Sequence, residues 1–191
     1  MHSRVLVVYH SVEGQTEKIA RRIADDLRDR MMDVDVQVAE TAPSPEAYQG
    51  VIVGDSIHSV HHSKALTRYL RDHADELSGM PTALFQVSLT STNPDEEHTA
   101  AAYGMVDELL SETAFTPDMV GLFAGALAYT KYGWFKRLLM RHISKKEGGQ
   151  TDTSRDWEYT DWDAVDRFAG AFAGRVDMTA LSPVLPIVRS R

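Results

Sequence analysis

Short apolar runs alternate along the chain with amphipathic segments of helical period. The runs are nearly continuous and rich in β-branched residues, as in parallel strands that are buried on both faces. They lie at residues 4–10, 51–57, 82–89 and 119–127, and a fifth segment at 34–40 alternates like an outer strand. Between them, apolar side chains at helical spacing predict helices at residues 15–30, 63–77, 99–113 and 160–175.

This order of elements predicts one α/β domain. Strands that alternate with helices form a parallel sheet with right-handed crossovers, so we expect a doubly wound five-stranded sheet with helices on both faces. The domain is expected to span residues 1–176 and to carry a basic helical insertion after the last strand, at about 128–150. Residues 177–191 include two prolines and are expected to form an irregular tail. Thr160 and Asp163 resemble a capping box for the final helix.

Composition and charge narrow the classes of function. The 191 residues include no cysteine, which excludes disulfides, thiolate metal sites and cysteine nucleophiles. No window approaches 18 consecutive apolar residues, and the first apolar run follows Met1 too closely for a signal peptide. The formal charge of -8 argues against nucleic acid as a partner. We therefore expect a cytoplasmic protein.

The segment HSVEGQTEKIA joins the first buried strand to the first helix and has the features of an anion-binding loop. A helix N-terminus offers N–H groups and a positive dipole end, and Ser11 and Thr16 add hydroxyl donors. Gly14 permits a backbone path that curves around an anion. The segment has neither the lysine of a P-loop nor the G-x-G-x-x-G of dinucleotide sites, which favours a monophosphate. An ordinary helix start is the alternative.

These residues resemble a known family. The pattern Ser11-x-x-Gly14-x-Thr16 after a first strand resembles the FMN phosphate loop of flavodoxins. The later strand ends, GDSIHSVHH and VSLTSTNP, correspond to the two loops that flank the flavin in such proteins. In the C-terminal third, AGALAYTKYGWFKRLLM, GGQTDT and YTDWDAVDRFA are similar to segments of the flavodoxin-like, menaquinone-dependent protoporphyrinogen oxidases.

The resemblance implies a flavodoxin-like fold, bound FMN, and oxidation of protoporphyrinogen IX with a quinone as electron acceptor. The flavin would carry the chemistry, so no catalytic residue is predicted. The residues expected to hold the FMN phosphate are Ser11, Val12, Glu13, Gly14, Gln15 and Thr16. Those expected to border the isoalloxazine ring are Ser56, Ile57, His58, Ser88, Leu89 and Thr90.

The sequence departs from electron-carrier flavodoxins at two places, and the second favours an enzyme. Carriers usually have Thr or Asn at the position of Glu13, whose carboxylate must point away from a phosphate. Carriers also commonly stack the flavin between a Trp and a Tyr, whereas these loops offer Ile57, His58, Leu89 and Thr90. The absence of an aromatic sandwich leaves a face of the ring open to a large planar substrate.

The basic stretch KYGWFKRLLMRHISKK at residues 131–146 holds six Lys or Arg and no acidic residue. Drawn as a helix, it is amphipathic and cationic, as in segments that lie in a membrane interface. We predict that it docks the porphyrinogen substrate or the membrane surface, with Tyr129, Tyr132 or Trp134 against the macrocycle. Packing on its own domain and homodimer formation are the alternatives. The docking residues are Tyr132, Trp134, Phe135, Lys136, Arg137 and Arg141.

Other functions remain open at this point. His58, His61 and His62 lie in one loop, but no carboxylate joins them at helical spacing, so no metal site is predicted. His58 or His61 would instead assist proton transfer or bind a propionate, and an exposed polar loop is the alternative. A flavodoxin-type electron carrier, an NAD(P)H:quinone reductase and a flavin-free interaction module are the alternative functions.

Overall fold

Five parallel strands form the sheet of this protein. The computed structural model describes residues 2–57, 62–89, 91, 96–127, 129–131 and 152–181. The strand order is β2-β1-β3-β4-β5, which confirms the predicted flavodoxin-like α/β fold. The strands are β1 Arg4–Tyr9, β2 Asp33–Val38, β3 Gly50–Ser56, β4 Thr82–Ser88 and β5 Met119–Ala124.

Helices cover both faces of the sheet, so β1, β3 and β4 are buried along almost their whole length. Alternate residues of β1 enter two separate cores: Val5 and Val7 pack against one pair of helices, Leu6 and Val8 against the other. The first pair is α1 Gln15–Asp29 and α5 Trp162–Leu181, and the second is α2 Lys64–Asp72 and α4 Glu96–Thr113. The four-residue helix α3 Ala74–Leu77 and a 3-10 turn at Pro45–Ala47 complete the second layer. None of the described helices is long and apolar enough to cross a membrane.

The final helix differs from its predicted bounds at both ends. Asp161, rather than Thr160, caps it, because the Asp161 carboxylate accepts a hydrogen bond of 3.0 Å from the backbone N–H of Ala164. The helix continues to Leu181, so the first residues of the predicted irregular tail are helical. Val176 explains the extension, since it is 1 % exposed and belongs to the core under α1 and α5. The expected helix at 63–77 is also divided, at His73, into α2 and α3.

The predicted last strand, 119–127, divides in two at Gly125. The strand β5 stays in the main sheet, and Ala126–Leu127 (β6) turns away to pair antiparallel with Trp157–Glu158 (β7). A 3-10 turn at Tyr129–Lys131 follows β6. The two strands form a neck, in which the residues before and after the predicted insertion lie side by side.

The glycines of the sheet accommodate aromatic side chains of the core. A Cβ on Gly54 would overlap the ring of Phe85, and one on Gly121 would lie 3.0 Å from Phe123 Cζ and from Phe168 Cδ2. The rings of Phe85, Phe123 and Phe168 contact one another at centroid separations of 5.6–6.5 Å. At Gly121, the missing side chain therefore makes room for a core aromatic ring.

Candidate functional site

The sheet reverses its strand order at β1, since β2 and β3 pair with its two sides. In an open α/β sheet of this order, ligands bind at the carboxyl ends of the strands beside that switch point. The segments that follow β1, β3 and β4 meet there, and all three contain predicted cofactor-binding residues. Gly54 O accepts a hydrogen bond of 2.9 Å from the backbone N–H of His10, which joins the first two of these strand ends.

The loop between β1 and α1 has the geometry of an anion site. Gly14 adopts φ 96°, a left-handed conformation that glycine tolerates and other residues rarely adopt. Its N–H donates to Ser11 Oγ at 3.0 Å, and no side chain at the N-cap occupies the first turn of α1. Thr16 is 1 % exposed in that first turn. The positive end of α1 is thus presented at the switch point.

A hydroxyl behind this loop joins three elements. Thr160 Oγ1 donates to Ala124 O at 2.7 Å and accepts from Gln15 Nε2 at 2.9 Å. It therefore connects the end of β5 with the start of α1, just before α5 begins. Gln15 is almost buried, so its amide supports the loop from inside. Sequence reasoning missed this role, although Thr160 lies in the YTDW segment that carried the family resemblance.

The ends of β3 and β4 bring the described ring-bordering residues together. Ile57 N donates to Val87 O at 3.0 Å, which holds the two strand ends side by side. Within the described chain, the buried Ser56 Oγ has no hydrogen-bond partner. Ser88 Oγ accepts from the backbone N–H of Ser91 at 3.2 Å. Leu89 is half-buried, as is Ile57.

Two of the predicted ring-bordering residues, His58 and Thr90, lie outside the described residues. The same is true of all six predicted docking residues: Tyr132, Trp134, Phe135, Lys136, Arg137 and Arg141. Their roles stay predictions.

Asp55, near the end of β3, forms a buried pair with His62 that no local motif predicts. Asp55 Oδ2 is 2.8 Å from His62 Nδ1, and the two side chains are 1 % and 5 % exposed. The second imidazole nitrogen, Nε2, is 2.6 Å from Met105 O on α4. Burial acts to lower the pKa of His62, but the hydrogen bonds with Asp55 and Met105 outweigh it and raise the pKa above 6.5. His62 is therefore not a free loop histidine.

Tyr129 does not lie against a substrate, contrary to one expectation. It is 0 % exposed and packs with Leu127 in a small cluster that includes Leu89, Trp157 and Tyr159. This cluster sits where the neck strands meet the end of β4. Tyr129 therefore supports the neck, because a fully buried ring has no face left for a macrocycle.

A cleft of about 310 Å³ opens beside the phosphate loop, between the first turns of α1 and the strand β7. The two described cations in its wall are each paired: Lys18 Nζ with Glu158 Oε2 at 2.9 Å, and Arg21 with Glu17 at 2.8 Å. Because these charges are neutralised in place, the cleft is a poor site for the carboxylates of a porphyrinogen. In the described parts of the chain, no three His, Asp or Glu side chains are grouped as metal ligands.

Comparison with known proteins decides the family. A flavodoxin domain model matches residues 6–154. A protein named protoporphyrinogen IX dehydrogenase [quinone], from Escherichia coli strain K12, is 32% identical over 180 residues, which are 93% of this chain and 99% of that protein. This chain belongs to the protoporphyrinogen IX dehydrogenase [quinone] family.

Another member of the family, from Leishmania major, is 38% identical over 174 residues, 89% of this chain and 74% of that protein. Solved structures show the same fold at lower identity. Oxidised flavodoxin 2 from Bacillus cereus has a TM-score of 0.56 at 21% identity, covering 90% of this chain and 99% of its own. Flavodoxin 1 of the same organism has a TM-score of 0.55 at 18% identity, covering 90% and 98%.

The flavodoxin domain points to a flavin cofactor for the family, and the residues of this chain fit one. The first turn of α1 has room for an anion, since a Cβ on Gly14 would meet no atom within 4 Å. The buried hydroxyl of Ser56, which has no hydrogen-bond partner among the described residues, could serve a ring heteroatom at the same edge of the sheet. Ile57 and Leu89 provide apolar surface beside it.

Proposed function

We propose that this protein binds FMN and oxidises protoporphyrinogen IX to protoporphyrin IX, with a quinone as electron acceptor. The observation that carries the proposal is the alignment with a dehydrogenase of that name along 99% of its length. The fold alone would not suffice, because flavodoxin-like domains serve several functions. The phosphate-loop geometry and the free Ser56 hydroxyl support the FMN part.

The residues that would hold the cofactor come from three strand ends. The N–H groups of the first turn of α1, with the hydroxyls of Ser11 and Thr16, would bind the FMN phosphate. Ser56 would hydrogen-bond the ring, and Ile57 and Leu89 would contact its apolar edge. When bound, FMN supplies the electron-accepting chemistry, and the protein binds, orients and tunes it.

The overall reaction determines which molecules must reach the cofactor. Conversion of the porphyrinogen into the porphyrin removes six electrons and six protons, and three quinones become three quinols. Two apolar molecules must therefore reach the same site. The side chains of Ile57 and Leu89 favour this exchange, because they occupy less space than a pair of aromatic rings would.

The deciding experiment is anaerobic mixing of the FMN-loaded protein with protoporphyrinogen IX, followed by visible absorbance. We expect rapid loss of the flavin band, a rise in porphyrin fluorescence, and return of the band when a menaquinone analogue is added. A flavin that keeps its colour with porphyrinogen and loses it with NAD(P)H would make the protein a quinone reductase. Slow reaction with both reductants would favour an electron carrier.

The basic stretch at residues 131–146 favours a particular location of the protein in the cell. We propose that residues 131–146 hold the otherwise cytoplasmic protein reversibly at the membrane surface, where its quinone is dissolved. Each Lys or Arg near an anionic surface contributes about 1 kcal/mol, so six suffice for reversible binding. The aromatic residues Trp134 and Phe135 would enter the interface.

Vesicle sedimentation tests the surface proposal. We expect the protein to sediment with vesicles rich in phosphatidylglycerol at low salt and to remain in solution with phosphatidylcholine vesicles. Replacement of Lys136, Arg137 and Arg141 by Gln should abolish sedimentation. Dimers that persist without vesicles and dissociate on Phe135→Ala would instead assign the stretch to an interface between two copies of the chain.

A further inference from the structure

Two cations on α2 have no counterion among the described residues. Lys64 and Arg68 form no ion pair, whereas every other Lys and Arg whose side chain is described pairs with a carboxylate. Because the two residues are four positions apart on one helix, they share a face, with their Cβ atoms about 5–6 Å apart. The protein has a formal charge of -8, so a shortage of carboxylates does not explain why these two cations are left unpaired.

Both cations line a cleft of about 570 Å³ between α2 and α4. One end of the cleft lies at the carboxyl edge of the sheet, because His62 in its wall is 2.8 Å from Asp55, the next-to-last residue of β3. Lys64 is the first residue of α2, and Arg68 follows one turn later. The unpaired cations therefore lie in the half of the cleft that is nearer to the strand ends proposed to border the flavin.

The carboxylates of this cleft do not neutralise the two cations. Glu112 is held by Arg71 at 2.8 Å in the other half of the cleft, where Asp72 also lies at the end of α2. Glu108 is on the wall formed by α4 and acts on His62, but it forms no ion pair with either unpaired cation. The half of the cleft nearer to the strand ends is thus the more positive one.

We propose that Lys64 and Arg68 bind the two propionate carboxylates of protoporphyrinogen IX and thereby orient the macrocycle beside the flavin. Ion pairs of Lys or Arg with carboxylates include charge-assisted hydrogen bonds, which are stronger than neutral ones. The propionates are carried by neighbouring rings of the macrocycle, so two cations on one helix face match them in number, and flexible side chains on both partners adjust the spacing. The inference rests on the proposed function, because it takes the porphyrinogen as the substrate.

The cleft beside the phosphate loop is less suitable for the propionates. Its two described cations, Lys18 and Arg21, are already paired with carboxylates of the chain. A propionate would have to replace one of these carboxylates, so the net gain would be small. Lys64 and Arg68 would exchange only water for the incoming carboxylates.

Arg68→Gln and Arg71→Gln form a matched pair of variants. Each removes one positive charge from the same helix and the same cleft, but Arg71 already has a partner in Glu112. We expect Arg68→Gln to raise KM for the porphyrinogen about threefold and Arg71→Gln to change it by less than about 1.5-fold. Lys64→Gln combined with Arg68→Gln should raise KM about tenfold. kcat should not change, because a propionate keeps its charge throughout the reaction.

Porphyrin binding without turnover provides a second readout. Protoporphyrin IX and its dimethyl ester are titrated into the FMN-loaded protein, and the change in porphyrin fluorescence gives each dissociation constant. We expect wild type to bind the diacid about tenfold more tightly than the uncharged ester, and the double variant to bind both equally. The double variant should fold normally, since both replaced side chains are exposed and unpaired.

Equal affinity for the diacid in wild type and the double variant would overturn the inference, and so would equal changes of KM in Arg68→Gln and Arg71→Gln. If the double variant no longer sedimented with phosphatidylglycerol vesicles but bound the diacid normally, the two cations would belong to a membrane contact, which also overturns it. A wild-type protein that binds the diacid through these cations but does not oxidise the porphyrinogen would support the site and contradict the proposed function.

Discussion

Gly54 is the position in β3 at which a side chain is least tolerated. A Cβ there would overlap the ring of Phe85 on the neighbouring strand, whose side chain is fully buried and cannot move aside. We expect Gly54→Ala to lower the free energy of unfolding by about 3 kcal/mol, as overpacked core positions do. Urea unfolding measures the change.

Gly104→Ala is the control for this prediction. Gly104 lies within α4, and a Cβ on it would meet no atom within 4 Å. The substitution should therefore raise the free energy of unfolding by about 0.5–1 kcal/mol through helix propensity. Equal losses in both variants would show that Phe85 does not confine position 54.

The residues that sequence reasoning missed share one property. His62 bonds to Met105, 43 positions away, and Thr160 bonds to Gln15, 145 positions away. Neither contact leaves a periodic pattern or a local motif, because each depends on how the helices settle on the sheet. The loop between β1 and α1 depends on local contacts instead, since the Gly14 N–H bonds to Ser11 Oγ three residues away; its role in phosphate binding stays a prediction.

At the scale of elements, Thr160 holds β5, α1 and the start of α5 together. Thr160→Val keeps the shape but removes the hydroxyl, so Ala124 O loses its donor and the Gln15 amide loses one acceptor in a nearly buried position. We expect a loss of about 1–3 kcal/mol in the free energy of unfolding. FMN affinity should also fall, because Gln15 is the first residue of α1 and lies in the turn that is proposed to bind the phosphate. Thr160→Ser keeps the hydroxyl and should retain most of both properties.

The length of α5 gives a second prediction at this scale. Val176 is 1 % exposed, whereas Met178 is 70% exposed two residues later on the same helix. Val176→Ala should lower the free energy of unfolding by about 2 kcal/mol, and Met178→Ala should change it by less than about 0.5 kcal/mol. Thermal and urea unfolding of both variants measure the difference. Equal effects would mean that the helix does not extend into the core beyond Arg175.

Strand positions were easier to predict than strand ends. The apolar runs at 4–10, 51–57 and 82–89 became β1, β3 and β4 with small shifts, because burial on both faces leaves a continuous pattern. The run at 119–127 looked equally continuous but divides at Gly125. The hydrophobic pattern could not reveal that division, since Leu127 of β6 is also buried, in the small cluster around Tyr129 instead of the main sheet.

At the scale of the whole molecule, charge is distributed unevenly along the sequence. Six of the 20 basic residues fall in residues 131–146, so the rest of the chain has 14 basic and 28 acidic residues, a formal charge of -14. An acidic body with one cationic segment is oriented by an anionic surface, which attracts the segment and repels the remainder. High salt should therefore weaken the binding of the protein to vesicles. FMN that is already bound should stay bound under the same conditions.

Acid stability is the last prediction and concerns the molecule as a whole. Burial acts to raise the pKa of Glu158, but hydrogen bonds from Lys18 and Trp162 lower it below 4.5. The pKa of Asp166 is likewise lowered, by Arg22. A carboxyl with a lowered pKa stabilises the folded state above its unfolded pKa, and that contribution is lost as the pH falls through the folded value.

The free energy of unfolding should therefore decline from about pH 4.5 downward. Glu158→Gln should make this decline shallower. Asp163→Asn removes one negative charge at an exposed position nearby, so the difference between the two variants isolates the pairing of Glu158. If the free energy of unfolding declined equally with falling pH in the two variants, the assigned role of Lys18 and Trp162 would be contradicted.

The neck formed by β6 and β7 has a consequence for how such proteins diversify. Leu127 pairs with Trp157, and the Thr130 N–H donates to Asp156 Oδ1 at 2.8 Å, so the described residues before and after the predicted insertion are adjacent. A segment attached in this way can be lengthened, shortened or exchanged without changing the register of any sheet strand. Evolution can therefore alter the sequence and length between Lys131 and Asp152 while the register of the five sheet strands is inherited unchanged.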